Sequence, residues 1–371
     1  MAMALWTLIT IVSVTHYMLP NVVGQMTCST LGTTAVLAGC ECNFLGACDT
    51  NGQKKIGLNI EDHLPKGLEM YGYVENAFSV RNLAYLCEEN TVAILYDCNS
   101  RIPLFSAIAI NGRQLNGADG NRPKKQFRLS RRVLYRKFQQ SNSDYLRAKN
   151  REICYKKRSK TRKIIDKSWY RGMGSTYGPA CGTKVAVHRG HMIASQYGIG
   201  NPRKKMATFV YTNVVPQFGD FNFGPWQIYE QRLIVWGKTN CAMNGEARNV
   251  QLFIVVGAIP STVFGPQQTR YFGRGGFSNY QDKDFRVNVP EVMWTAACCT
   301  FEFRVRRNTW QAASKSTAFW RENVPGKSPC VIEDVGTLEK NLKNWAKRTD
   351  LKINLFPYSK ECKKSKSYIP L

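Results

Sequence analysis

The chain has 371 residues and a formal net charge of +26, because 52 Lys and Arg residues outnumber 26 Asp and Glu residues. This balance argues against a polycationic partner and favours a polyanionic one. No internal repeat or low-complexity segment is present, which excludes the solenoid and fibrous classes.

Residues 1–24 have the pattern of a secretory signal peptide. Ala2 to Val14 form an apolar run that is too short for a bilayer, which needs about 20 residues. Val22 and Gly24 then offer small residues before a cleavage site. No Lys or Arg precedes the run, so a buried or anchoring helix is the alternative. We expect a secreted, extracellular protein with no stable membrane association.

The cysteines are consistent with export. All 13 follow the leader, and in an oxidising compartment most would form disulfides. Their pairing cannot be deduced from spacing, and an odd count leaves one thiol over. Zinc binding is the weaker alternative, because no paired CxxC motifs occur. Residues 25–65 are rich in cysteine and are interpreted as a small N-terminal segment before one large domain, 66–356.

Short apolar runs predict strands, and turn residues separate them. Asn111-Gly112 predicts a turn. A helix is expected around Leu338–Trp345. Residues 357–371 form a basic tail, in which we expect Lys360–Lys366 to be loosely ordered. The predicted strands are Thr91–Tyr96, Leu104–Ile110, Val250–Gly257, Val292–Cys299 and Phe301–Val305.

Residues 122–167 are interpreted as a basic insertion in the large domain. They contain 18 Lys and Arg residues and only three acidic residues, and the interleaved aromatic residues include Tyr135, Phe138, Tyr145 and Tyr155. Such a stretch can bind phosphates without reading sequence, and its aromatic rings can stack on bases. A solvated charged surface is the alternative, and sulfated glycans or anionic membranes would be attracted too.

Two polar segments contain the residue types that phosphodiester hydrolysis needs. A histidine can take a proton from water near neutral pH, and an amide oxygen can hold a hard cation such as Mg²⁺, which keeps several waters. His191 can be the base and Asn222 can be the metal ligand. Glu230 is eight residues further on, about 12 Å along a helix, so we place it on a metal-bound water.

The local pattern predicts a strand–loop–strand–helix unit around these residues. Lys184–Val187 and Ala207–Tyr211 are the predicted strands, and a loop at His188–His191 follows the first. Asn222 is a plausible N-cap and Pro225 suits a first helical turn. The helical spacing that follows predicts one buried face, formed by Trp226, Tyr229, Leu233 and Trp236.

His188-Arg-Gly-His191 resembles the Asp-Arg-Gly-His signature of the DNA/RNA non-specific endonucleases, the ββα-metal (His-Me finger) nucleases. The resemblance spans roughly residues 95–300, and two further segments, from Arg101 and from Val289, look like the secreted animal branch of that family. It implies an α+β fold with a mixed, mostly antiparallel central sheet, here stabilised by disulfides. It also implies cleavage of DNA with Mg²⁺ as the cofactor and Mn²⁺ as a substitute, and we expect RNA to be cleaved as well.

The resemblance also implies roles for individual residues. His191 is the base and Asn222 the metal ligand, while Glu230, Asn213 and Gln217 shape the metal-water and loop network. Arg189 is expected to hold a substrate phosphate, with a structural salt bridge as the alternative. Arg171 is the nearest candidate for a further arginine of the family.

His188 departs from the signature, which begins with Asp. This departure leaves room for a second hypothesis, a nuclease-fold protein that binds polyanions and cleaves weakly or not at all. A cysteine-rich matrix protein would explain the charge and the cysteines, but not the motif. The sequence leaves the oligomeric state open.

Overall fold

The structure is a computed structural model that describes residues 42, 65–71, 83–117, 123, 127–133, 139–141, 187–261, 271–272, 287–324, 326, 328–346, 350, 352–357, 359–364 and 369. The predicted leader, most of residues 25–65 and most of the basic insertion 122–167 lie outside the described residues.

Strands dominate the described part of the chain. In chain order they are β1 (Leu83–Glu88), β2 (Val92–Asp97), β3 (Ile102–Asn111), β4 (Val187–His191), β5 (Val214–Phe218), β6 (Arg248–Ile259), β7 (Tyr271–Phe272), β8 (Val287–Asn288), β9 (Val292–Arg306), β10 (Thr309–Glu322) and β11 (Val331–Glu333).

Seven strands form the central sheet, in the order β1-β2-β3-β6-β9-β10-β11. Every pairing between these strands is antiparallel. The mostly antiparallel sheet is therefore confirmed, but the parallel pairs that a mixed sheet requires do not occur among the described strands. The two strands predicted over residues 292–305 are one strand, β9, because it pairs with β10 along its whole length.

Both faces of the sheet are covered, which explains why its strands are continuous apolar runs rather than alternating ones. On β6, Leu252 and Ile254 belong to one core cluster, while Phe253 and Val255 belong to a second cluster on the opposite face. Successive side chains of a strand point to opposite faces. The two clusters therefore mark two layers packed on one sheet.

The helices supply those layers. The α-helices of five or more residues are α1 (Gly112–Asn116), α2 (Pro202–Ala207), α3 (Gln227–Trp236), α4 (Val335–Trp345) and α5 (Lys360–Lys364). Helix α3 packs into the core cluster that contains Leu252, and helix α4 packs into the cluster that contains Phe253. Asn111-Gly112 does not form the expected turn: Asn111 caps α1 through a reciprocal capping box with Gln114. Within the described residues no helix is long and apolar enough to cross a membrane.

Adjacent cysteines on β9 link the sheet to both layers. Cys299 is bonded to Cys241, just beyond α3, and Cys298 is bonded to Cys362 on α5. Neighbouring residues of a strand face opposite sides, so each disulfide joins a different layer. The segment predicted as a loosely ordered tail therefore contains a short helix held by a disulfide.

Two other features bear on the predicted cysteine chemistry. A third disulfide, Cys42–Cys87, ties the N-terminal segment to β1. Cys330 is a buried free thiol, and burial raises its pKa to about 12.

Candidate active site

The histidine signature lies on a strand rather than in a loop. β4 pairs with β5 in an antiparallel two-stranded sheet, so that His188 lies opposite Gln217 and His191 lies opposite Val214. The second predicted strand, Ala207–Tyr211, is wrong: α2 ends at Ala207 and a short turn precedes β5. The chain turns helical there because Asn201 caps α2 and Pro202 occupies its first turn.

Alternation along β4 divides the signature between two faces. Arg189 and His191 share one face. The Arg189 guanidinium lies 5.2 Å from the centre of the Phe127 ring, and the His191 ring lies 4.7 Å from that ring and 4.9 Å from that of Phe209. His191 is thus held between two aromatic rings, a contact that only the tertiary fold creates. Nothing in the sequence around Phe127 signals it.

Asn213 is a structural clamp for the segment that follows His191. It is fully buried. Its Oδ1 accepts a hydrogen bond from the Ile193 amide, and its Nδ2 donates to the carbonyls of Ile193 and Thr208, each at 3.0 Å. Asn213 therefore fixes the backbone immediately after the histidine.

Gln217 lies on the face of the hairpin that carries His188. It is completely buried, and its amide has no hydrogen-bond partner among the residues that the structure describes. A Cβ at position 190 would overlap this amide, so Gly190 provides the room for it. A buried amide without a partner destabilises the folded state by about 1–3 kcal/mol. Gln217 is therefore a buried amide beside the signature that retains its capacity to form hydrogen bonds.

Asn222 follows β5 at the start of a helical segment, but it is not the predicted N-cap. The helical backbone begins at Gly219, and Asn222 itself has helical φ and ψ angles of −64° and −45°. A wide turn, Asn222–Trp226, then leads into α3. The predicted buried face is confirmed, since Trp226, Tyr229, Leu233 and Trp236 are all buried.

His188 and Asn222 are in contact. The Asn222 Nδ2 lies 3.5 Å from the His188 Nδ1, and the His188 ring packs edge-on against Phe223, with 4.7 Å between centroids. Burial lowers the pKa of His188, an effect that Asp220 opposes and Arg189 reinforces. The imidazole is therefore neutral at neutral pH, with a lone pair available.

Glu230 lies one turn into α3, half-buried, and its charge acts on two buried groups. Burial is the main reason that the pKa of Tyr197 is raised, and Glu230 adds to it. The same charge contributes to the raised pKa of Cys330. Glu230 therefore lies near Tyr197 and Cys330. Arg171, the remaining predicted site residue, lies outside the described residues.

The residues around Asn222 fit a hard divalent cation in chemical type. An amide oxygen and water are ligands that Mg²⁺ accepts, and one or two protein ligands suffice. Among the described residues no group of three or more His, Cys, Asp or Glu side chains is placed to hold a metal. The fit therefore rests on the Asn222 amide and its immediate neighbours.

The antiparallel hairpin followed by a helix, with a histidine signature on the first strand, defines a ββα nuclease unit. The chain matches the family model of the DNA/RNA non-specific endonucleases over residues 73–354 and belongs to that family. A solved structure of the EndoG/EndoGI complex is similar at 14% identity, over 79% of this chain and 91% of that chain, with a TM-score of 0.43. No match is found among curated proteins.

Proposed function

We propose that this protein is a secreted, metal-dependent endonuclease that hydrolyses phosphodiester bonds in DNA and RNA without reading sequence. Family membership supports the reaction class. The observation that carries the metal-dependent part is the contact between Asn222 and His188, whose side-chain nitrogen atoms lie 3.5 Å apart.

In this mechanism His191 takes a proton from the attacking water. Packing between Phe127 and Phe209 holds the orientation of its ring, and Asn213 fixes the backbone that follows it. Arg189 shares the face of β4 that carries His191, and in this mechanism it binds a phosphate oxygen of the substrate.

Asn222 would hold the metal ion. Mg²⁺, or Mn²⁺ in its place, supplies a positive charge for the developing phosphorane and the leaving oxygen. Glu230 and Gln217 shape the surroundings of that ion from α3 and β5. A buried polar group next to a metal site orients ligands and waters.

Nucleic acid is the proposed partner because the net charge of +26 attracts phosphates regardless of base sequence. Secretion is proposed from the leader pattern at 1–24, and the disulfides support it. Disulfides persist chiefly in oxidising compartments.

The test is nicking of supercoiled plasmid by the mature protein, with Mg²⁺ or with EDTA. His191→Ala is expected to lower the nicking rate by about 10³-fold or more, because it removes the general base, while retardation of DNA in a gel persists. Asn222→Ala is expected to lower the rate similarly. Asn201→Ala, which removes only the cap of α2, is the matched control and should keep the wild-type rate.

A different result would support the second candidate, a polyanion-binding protein on the nuclease fold. His188 in place of the family's Asp is the feature that favours it. DNA retardation without nicking, unchanged by EDTA or by His191→Ala, would establish binding alone and exclude the enzyme.

A further inference from the structure

The residue that departs from the family signature touches the proposed metal ligand. His188 presents its Nδ1 to the Asn222 side-chain amide at 3.5 Å. Its ring is half-buried and is held edge-on by Phe223 at 4.7 Å. The imidazole Nδ1 thus faces the amide of Asn222.

The distance between the two side chains suits two adjacent ligands of one ion. Ligand atoms about 2.0–2.2 Å from a metal, at angles of about 90–110°, are about 2.8–3.6 Å apart. The oxygen and nitrogen of an asparagine amide are nearly interchangeable in position. Rotation of the Asn222 amide would place Oδ1 where Nδ2 now lies, with two lone pairs facing a cation.

We propose that His188 is a second protein ligand of the metal ion held by Asn222, and that this nitrogen ligand shifts the preference of the site from Mg²⁺ toward Mn²⁺, Co²⁺ and Ni²⁺. The proposal rests on the proposed function, which places the ion at Asn222. Mg²⁺ demands oxygen ligands, whereas imidazole binds the later divalent metals more strongly in the order Mn²⁺ < Co²⁺ < Ni²⁺.

The charges around His188 are compatible with this role. Asp220 lies close enough to affect the His188 ring electrostatically, as does Arg189. One carboxylate and one guanidinium balance locally, so the ion itself would contribute the net positive charge. Asp220 is exposed.

Pulsed EPR of Mn²⁺ bound to the mature protein tests the ligand directly, without substrate. Nitrogen-14 modulation from an imidazole is expected in the wild type. It should disappear in His188→Asp and His188→Ala and persist in His191→Ala. The chain contains only four histidines, at positions 16, 63, 188 and 191, so His63→Gln completes the controls.

Competition between metals tests the preference. The ratio of the Mg²⁺ to the Ni²⁺ dissociation constant is expected to fall by about tenfold or more in His188→Asp, which restores an oxygen ligand. Thermal unfolding without metal verifies that each variant is folded. His188→Gln, a second variant with an amide oxygen, covers a case in which His188→Asp does not fold.

The outcomes separate the two proposals. If Asn222→Ala abolishes Mn²⁺ binding but the nitrogen signal is absent from the wild type, or survives in His188→Asp, His188 is not a ligand and only this inference fails. If Asn222→Ala leaves Mn²⁺ affinity unchanged, the metal site of the proposed function is wrong, and the inference fails with it.

Discussion

His188 and His191 are separated by only three positions, yet they have different surroundings. His191 packs between two aromatic rings, and His188 meets an amide and Phe223. Because side chains on β4 alternate between two faces, one strand can carry both the proposed base, His191, and the proposed metal ligand, His188. Substitutions at the two histidines should therefore have separable effects on proton transfer and on metal preference.

Asn213 gives a residue-scale prediction about stability. Asn213→Ala removes three buried hydrogen bonds and leaves the Ile193 and Thr208 backbone groups unpaired, so it should lower the free energy of unfolding by about 2–4 kcal/mol. Urea unfolding measures this. Asn201→Ala, in the more exposed cap of α2, should lower it by about 1 kcal/mol. Equal losses in the two variants would contradict the clamp assigned to Asn213.

At the scale of elements, and within the described residues, the β4–β5 hairpin is joined to the main sheet through side-chain amides. Gln140 Nε2 donates to the Val214 carbonyl at 2.6 Å. Asn323 Nδ2 donates to the Pro216 carbonyl at 2.9 Å, and Asn323 Oδ1 accepts from the Phe218 amide at 3.1 Å. These bonds satisfy backbone groups on the outer edge of β5, which would otherwise be buried without partners.

Glu88, at the end of β1, joins three elements. Its buried carboxylate accepts hydrogen bonds from Thr212, just before β5, at 2.9 Å, and from Ser130. Burial raises the pKa of Glu88 above its usual value, although both hydrogen bonds and the charges of Arg128 and Arg132 oppose this. The folded state therefore binds the Glu88 proton more tightly than the unfolded chain does.

The stability contributed by this proton is complete below the unfolded carboxyl pKa, about 4.3, and is lost as pH rises through the higher folded pKa. Glu88→Gln does not titrate, so its stability relative to the wild type should increase from pH 4 to pH 8. Urea midpoints of both proteins across that range measure the difference. Glu89→Gln is the control. It removes an exposed ion pair with Arg128, which contributes about 1 kcal/mol or less to the free energy of unfolding. A difference that stays flat with pH would refute the assignment.

At the scale of the whole molecule, the disulfides affect stability and the net charge affects binding. The disulfides join both layers to one strand of the sheet, which restricts the conformations of the unfolded chain. The net charge of +26 acts at long range and in a salt-dependent way.

DNA binding by the uncleaving His191→Ala variant should therefore depend steeply on salt. With four or more phosphate contacts, the association constant is expected to fall by about a hundredfold or more between 50 and 200 mM KCl. Fluorescence anisotropy with two duplexes of unrelated sequence measures it, and both should give the same slope. A shallow slope, or slopes that differ between the duplexes, would argue for readout of bases instead of phosphates.

The sequence by itself determined the class of fold, the main strands and the buried face of α3. Those predictions rest on local properties: apolar runs, helical spacing and a motif of fixed order. They hold here because the runs at β2, β3 and β6 are buried on both faces, and because Trp226 and Leu233 recur at helical spacing.

Only the tertiary structure decided which residues meet around the signature. Phe127 is 64 positions from His191 and Asn323 is 107 from Pro216, and no local pattern encodes contacts at such separations. The same holds for the strand that was wrongly predicted at residues 207–211. These residues have the apolar composition of a strand, but the Asn201 cap and the hydrogen bonds of Asn213 stabilise a helix and turns there. His188 was noticed as a departure from a motif, and its contact with Asn222 became visible only when β5 and the following helix brought the two together.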